Sequence, residues 1–372
     1  MAKSSRHLLT TKLPSATMHK HTAFPMVFAL CLWGCVQPSA PVEQGLRTPP
    51  VPSAVDSQPG LTTYVSGSGV DVTATPLGGA LLAGGGTDSE EAMRWLLAQG
   101  GTPRGVASGA RFGDVVVLRA SGGDGYHRML MGLGASSVRS FVITSAAAAN
   151  SDAVRRAIEG AEVIFIAGGD QSRYVSLWSG SLLQTAVNAR VAAGYPIGGT
   201  SAGLAVLSPY VYAALNISST SATVLANPHD SSVTISDTLF RVPVLQNLIT
   251  DSHFVVRDRM GRLVTFLARL QQDGRAAAPR GIGIDEKSAV AVTREGAATV
   301  FGGGNGAYFL RVTNSATRVC TPQRSLTFFP VETVRVAVGQ QFDLPSWSAA
   351  SLQPYTLSAT AGVLSSSTRS IY

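Results

Sequence analysis

Gly199-Thr200-Ser201-Ala202-Gly203 sets a serine between glycines at the G-x-S-x-G spacing. It stands between the short apolar run Tyr195 to Gly199 and the apolar stretch Leu204 to Leu207, the context of a strand-to-helix elbow. Small neighbours let the backbone take the strained turn that lifts a hydroxyl clear of a sheet edge, and the amide of Ala202 then faces an oxyanion. The chain carries 39 glycines, so chance also produces the pattern, and alone it reads equally as a tight turn.

A second glycine turn, Gly168-Gly169-Asp170-Gln171, follows the most apolar run of the chain, Ala161 to Ala167, and opens its longest helical stretch. Free amides at such a turn point beyond the sheet edge, where ligands of open α/β sheets bind. Gly169 or Asp170 is therefore the candidate second donor of an oxyanion hole with Ala202. Phosphate binding competes, but neither turn has the spacing or the lysine of a P-loop.

A serine nucleophile requires a base. Of the six histidines, His7, His19 and His21 fall in an N-terminal leader, leaving His127 on an expected helix face, His229 in a Pro/Asp turn, and His253. His253 lies in Asp251-Ser252-His253-Phe254, after the apolar stretch Leu248 to Thr250, and is followed by Arg257, Arg259 and Arg262. Chemistry prefers His253 without excluding a structural histidine. Gly281-Ile282-Gly283-Ile284-Asp285-Glu286 offers two carboxylates at a strand end, and strand alternation lets at most one of them orient the imidazole.

The elements that position these residues read as βα units. Apolar runs alternate with amphipathic ones: Gly79 to Ala83 then Ser89 to Gln99, Asp114 to Ala120 then Tyr126 to Leu133, and Phe141 to Thr144 then Ser151 to Ile158. Ala161 to Ala167 continues them as a buried strand, Ser172 to Ala193 as one long helix, and Tyr195 to Gly199 as a short strand. The pattern predicts an α/β fold with a mostly parallel sheet flanked by helices. Beyond about Ser288, Val/Thr/Phe-rich stretches with glycine turns predict antiparallel strands packed on that body. Arg257 and Arg262 are expected on a helix running on from His253, partly buried by Val255, Val256, Met260, Leu263 and Phe266.

The chain has 372 residues, 45% hydrophobic and 14% charged, which makes a folded protein the expectation over a disordered one. Its net charge is +7, but Lys3, Arg6, Lys12 and Lys20 precede Cys35, where no Asp or Glu occurs. Without those four, 25 basic residues face 22 acidic ones, a net of +3, and no basic run follows a phosphate backbone. Nucleic acid is not expected as a partner. The basic stretch and the apolar run Ala23 to Val36 read as a signal over residues 1–35, closing on Leu32-Trp33-Gly34-Cys35. That ending resembles a lipobox, with Trp33 where a small residue is usual, so Cys35 is a candidate lipidation site. Ordinary secretion, with cleavage near Ala40, is the other option. Either route puts the protein outside the cytoplasm, with membrane contact only through the anchor. Residues 36–75, rich in Pro and Ser, read as a linker without fixed structure up to about Gly60. Cys31 and Cys35 leave the mature chain no disulfide partner for Cys320, which is expected to be a buried apolar residue.

Taken in order, Gly168-Gly169-Asp170-Gln171, Gly199-Thr200-Ser201-Ala202-Gly203, the Asp-x-His-Phe segment with its arginines, and Gly-Ile-Asp-Glu resemble the cyanophycinases of peptidase family S51. The resemblance runs from about Gly79 to Val292. It implies a class I glutamine amidotransferase-like, flavodoxin-like fold over 76–310, with a β-rich extension over 311–372. It also implies a serine peptidase with Ser201 as nucleophile, His253 as base and Glu286 as orienting acid, Asp285 being the fallback. Gln171, Asp251, Ser252, Arg257, Arg259 and Arg262 would form the substrate pocket for an Asp-containing peptide such as a β-Asp-Arg unit. Ser252 replaces the family's usual Gln, and Leu204 replaces the small residue usual after the elbow. No cofactor or metal is implied, and a homodimer stays open. A glutaminase would need a thiolate where Ser201 stands. A serine esterase of another class, whose acid precedes its histidine, and a non-enzymatic peptide-binding envelope lipoprotein are the competing functions.

Overall fold

The computed structural model describes residues 54–68, 74–101, 112–313 and 316–372. The expected signal, lipobox and most of the expected linker lie outside them. Among the described residues, short hydrophobic strands assemble into two sheets.

The first sheet takes the strands in the order Ala54–Gln58, Leu61–Gly67, Ala135–Ile143, Phe112–Arg119, Val163–Ile166, Ile197–Thr200, Ala80–Ala83, Ser288–Val292, Ala297–Gly302 and Gln341–Asp343. The five central strands, from Ala135–Ile143 to Ala80–Ala83, run parallel, and the flanking pairs are antiparallel. Alternation divides each central strand between two cores. Leu81, Val115, Val117 and Phe165 face the helices Glu90–Gln99 and His127–Leu133, while Leu82, Val116, Leu118 and Ile164 face the middle of the molecule.

The second sheet contains Val363–Ser366, Tyr355–Thr360, Thr327–Val336, Ala307–Arg311, Arg280–Ile284, Leu248–Asp251, Tyr210–Tyr212 and Ile235–Asp237 in that order, with Thr317–Val319 beside Thr327–Val336. Leu248–Asp251 pairs in parallel with both Arg280–Ile284 and Tyr210–Tyr212. Ile282, Ile284 and Phe309 face the shared middle core, whereas Tyr308 and Leu310 face the buried helix Met260–Gln272.

The expected α/β body flanked by helices, with a β-rich C-terminal region, is therefore present. The C-terminal strands are antiparallel and extend both sheets: Thr327–Val336 pairs with Ala307–Arg311 in one, and Gln341–Asp343 with Ala297–Gly302 in the other. Three expectations need correction. Residues 54–67 lie within the expected linker, yet Leu61–Gly67 pairs along its length with Ala135–Ile143. The single helix expected over 172–193 is two, Gln171–Trp178 and Leu182–Ala192, because Gly180 takes φ 73° and the Ser181 side chain accepts from the Gln184 amide as a fresh N-cap. Finally, the helix after His253 begins only at Met260. His253 and Asp258 both hold left-handed backbone, φ 48° and 46°, which no helix accommodates.

Candidate active site

Val163–Ile166, Ile197–Thr200 and Ala80–Ala83 are parallel neighbours, so their carboxyl ends meet at one edge. The first ends at Gly168, the second at Ser201, and the third at Gly84-Gly85-Gly86. Two further parallel strands end in the same region: Leu248–Asp251 leads to His253, and Arg280–Ile284 to Asp285 and Glu286. Backbone bonds lock the ends together. The amide of Ser201 donates to Ala83 O at 3.0 Å, that of His253 to Gly84 O at 2.7 Å, and that of Lys287 to Gly85 O at 2.8 Å.

Ser201 takes φ 53° and ψ −115°, a sparsely populated conformation that costs on the order of 1–3 kcal/mol and marks functional turns. Its glycine neighbours are required by close approach. A Cβ on Gly199 would stand 2.4 Å from Gly203 O, and one on Gly203 would stand 2.1 Å from Ile166 O. The elbow therefore presses on both the neighbouring strand Val163–Ile166 and its own helix, and only glycine fits. Leu204, the departure noted in the sequence, is fully buried in the middle core.

The strained turn brings Ser201 Oγ to 2.7 Å from His253 Nε2, and His253 Nδ1 lies 2.6 Å from Glu286 Oε1. A hydroxyl, an imidazole and a carboxylate thus stand in line. Burial pushes the His253 pKa below its ordinary value; hydrogen bonding to Glu286 opposes this, and the positive charges of Arg257 and Arg259 add to the lowering. Asp285 occupies a different niche. Its Oδ1 accepts the amides of Val255 and Val256 at 2.9 and 3.1 Å, and its Oδ2 accepts the Asn305 side chain at 2.7 Å. Burial alone would raise its pKa, but the Asn305 and backbone hydrogen bonds outweigh it and hold the carboxyl below the usual range. Asp285 thus secures the turn that carries His253, and the fallback acid is not placed against the imidazole.

The other two histidines are satisfied elsewhere. His127 is buried between Ser66 Oγ and Ser140 Oγ, each at 2.9 Å, and His229 Nε2 lies 3.1 Å from Cys320 O. Cys320 is buried, and burial pushes its thiol up to about 11.

Gly169, Asp170, Gln171, Ser201, Ala202, Asp251, Ser252, His253 and all three arginines line one cleft of about 340 Å³. The Tyr174 hydroxyl donates to Ala167 O at 2.9 Å and Gly168 O at 3.1 Å. Because C=O and N–H point in opposite directions across a trans peptide, that grip on Gly168 O turns the Gly169 amide away from Tyr174.

The arginines differ. Arg262 is buried and bidentate on Asp251, Nε to Oδ2 at 2.8 Å and Nη2 to Oδ1 at 2.5 Å, and it also donates to Ser219 O at 3.0 Å. That guanidinium lines the cleft but is already engaged with Asp251 and Ser219. Arg259 donates through Nη1 to Ser252 O at 2.7 Å, and burial, partly offset by Asp251, lowers its pKa to about 10. Arg257 is 53% exposed and lies 3.8 Å from Glu286. Gln171 Nε2 reaches Tyr212 O at 3.5 Å.

Two features went unread in the sequence. Gly85 sits against the imidazole. Asp88 accepts from both Thr200 Oγ1 and Tyr126 Oη at 2.7 Å, bracing the residue before Ser201; burial raises its pKa, and those two hydroxyls restrain the rise. The signal was the run Gly84-Gly85-Gly86-Thr87-Asp88 after an apolar strand, the same signature as the glycine turn at 168–169.

A serine, a histidine and a carboxylate in line beside backbone amides on an α/β sheet form the geometry of a serine hydrolase. Residues 126–300 match peptidase family S51. The chain is 32% identical over 185 residues to a cyanophycinase of Trichormus variabilis, covering 49% of this chain and 56% of that one. It is 31% identical over 185 residues to a cyanophycinase of Nostoc sp., with the same coverage. These matches support the cyanophycinase and peptidase family S51 resemblance, and the chain spans little more than half the length of those relatives. Among solved structures, a peptidase from an acI-B1 Actinobacterium aligns at TM-score 0.45 and 15% identity, over 72% of this chain and 97% of that one. A putative peptidase E from Listeria monocytogenes aligns at TM-score 0.40 and 12% identity, over 61% and 99%.

Proposed function

We propose that the chain is a serine peptidase of cyanophycinase type that hydrolyses Asp-containing peptides through an acyl-enzyme. The observation that carries this reading is the continuous contact from Ser201 Oγ through His253 to Glu286. His253 takes the hydroxyl proton as Oγ attacks the peptide carbonyl, then gives it to the leaving amine; a water molecule, deprotonated by the same imidazole, releases the acyl group. Glu286 fixes the tautomer and stabilises the imidazolium. The amides of Gly169 or Asp170 and of Ala202 hold the oxyanion. Arg257 and Arg259 supply positive charge for an acidic group on the substrate, of which the β-Asp-Arg unit of cyanophycin is the family's example. A carboxyl-acid order of Ser, His, Glu along the chain disfavours the ordinary esterase layout.

Mass spectrometry of products, after incubation with cyanophycin and with α- and β-linked Asp peptides, tests the reading. Cleavage next to Asp supports it, and intact substrates throughout overturn it. Export with acylation at Cys35 is also proposed. Its test is Cys35→Ser, which should move the protein from membrane to soluble fractions, since each buried CH₂ of an acyl chain contributes about 0.8 kcal/mol.

A further inference from the structure

The wall of the cleft formed by residues 214–218 carries no charge, unlike the wall that bears the arginines. Ala214, Leu215, Asn216, Ile217 and Ser218 all line the cleft that Ser201 and His253 open onto. Leu215 is 47% and Ile217 67% exposed, two of the few large apolar side chains among the described residues left in water.

The loop that presents them is held at several points. The Leu215 amide donates to Thr234 Oγ1 at 2.9 Å, and Asn216 Nδ2 donates to Ser231 O at 2.7 Å. The Ser219 amide donates to Tyr212 Oη at 2.7 Å, and Arg262 donates to Ser218 Oγ and Ser219 O. Ala214 takes φ 48° just before the pair. Polar anchoring on both sides of two exposed apolar residues fixes their position while leaving their surface uncovered. Holding them in water is unfavourable, and a substrate side chain that covers them recovers that loss.

The geometry points to Leu215 and Ile217 as a specificity surface for an apolar side chain next to the acidic residue of the cleaved peptide. This inference rests on the proposed peptidase reading and refines it, because an arginine side chain opposite this wall gains far less from such contact than a leucine or phenylalanine. The site would therefore prefer Asp-Leu or Asp-Phe linkages to Asp-Arg.

Two measurements test it. Wild-type kcat/KM for an Asp-Xaa series should be at least tenfold higher for Xaa of Leu or Phe than for Arg or Gly, and Leu215→Ser with Ile217→Ser should bring that ratio towards one. Binding of the same peptides to the Ser201→Ala protein, followed calorimetrically, should rank them in the same order and does not depend on turnover. Equal affinities for the Leu and Gly peptides, or a preference for Arg that survives the double substitution, would overturn the specificity surface while leaving the peptidase reading intact. Ranked binding with no turnover by the wild-type protein would overturn the peptidase reading alone.

Discussion

Gly85 lies against the imidazole of His253 so closely that a Cβ added there would stand 2.4 Å from Cε1 and 2.6 Å from Nε2. Gly85 also has φ 95°, a conformation that L side chains rarely adopt. The glycine turn after strand Ala80–Ala83 thus contributes to the site by what it omits. Gly85→Ala should displace the ring from Ser201 and lower kcat by about 100-fold, since misplacement by about 1 Å costs that much. The melting temperature should fall by only a few degrees. A near-normal kcat would show that the imidazole tolerates displacement.

The two adjacent carboxylates should respond in opposite ways. Glu286→Gln loses the charge facing Nδ1 and should lower kcat by two or more orders of magnitude with little change in stability. Asp285→Asn leaves the Val255 and Val256 amides a weaker acceptor and should cost about 1–3 kcal/mol of stability in denaturant titrations. Because the folded pKa of Asp285 is depressed, its contribution is present above the unfolded value and lost as pH falls through the folded one. The difference in stability between wild type and Asp285→Asn should therefore shrink in acid. A larger kcat loss for Asp285→Asn than for Glu286→Gln would reverse the roles.

The carboxyl ends of the parallel strands were legible because apolar runs and glycine turns are local signals, and so was the helix Glu90–Gln99 from the amphipathic run Ser89 to Gln99. The break at Ser179-Gly180-Ser181 was written in the sequence but outweighed by the apolar periodicity around it. The turn after His253 was not legible. The left-handed residues His253 and Asp258 bound a turn held by long-range bonds, the Val255 and Val256 amides donating to Asp285 Oδ1, which no spacing discloses. For the same reason, the unequal roles of Arg257, Arg259 and Arg262 emerge only from Asp251 and Ser252 in three dimensions.

The acidic limb of kcat/KM should report an apparent pKa below the ordinary histidine value, because burial and two arginines disfavour the imidazolium of the free protein. His253 in its proposed role as base works only when neutral, so activity should rise with pH through that value. Arg257→Gln removes one of the positive charges and should shift the limb upward. A downward shift or none would place Arg257 outside the field of the base. The depressed pKa also makes His253 stabilise the fold above its unfolded value and lose that contribution as pH falls through the folded one.

Arg257→Lys should reduce kcat/KM for acidic peptides by about 1.5–3 kcal/mol while barely affecting neutral ester probes, because only the proposed charge-assisted contact weakens. Arg262→Lys should instead lower stability, since it breaks a buried bidentate pair with Asp251. Equal loss on ester and peptide for Arg257→Lys would make that arginine structural.

Covalent capture at Ser201 tests the central claim most directly. Incubation with a fluorophosphonate, followed by peptide mass spectrometry, should place a single adduct on the peptide containing Ser201. The adduct should be absent from Ser201→Ala and formed far more slowly by His253→Ala. Labelling of another residue, or no labelling of a folded wild-type protein, would contradict the account.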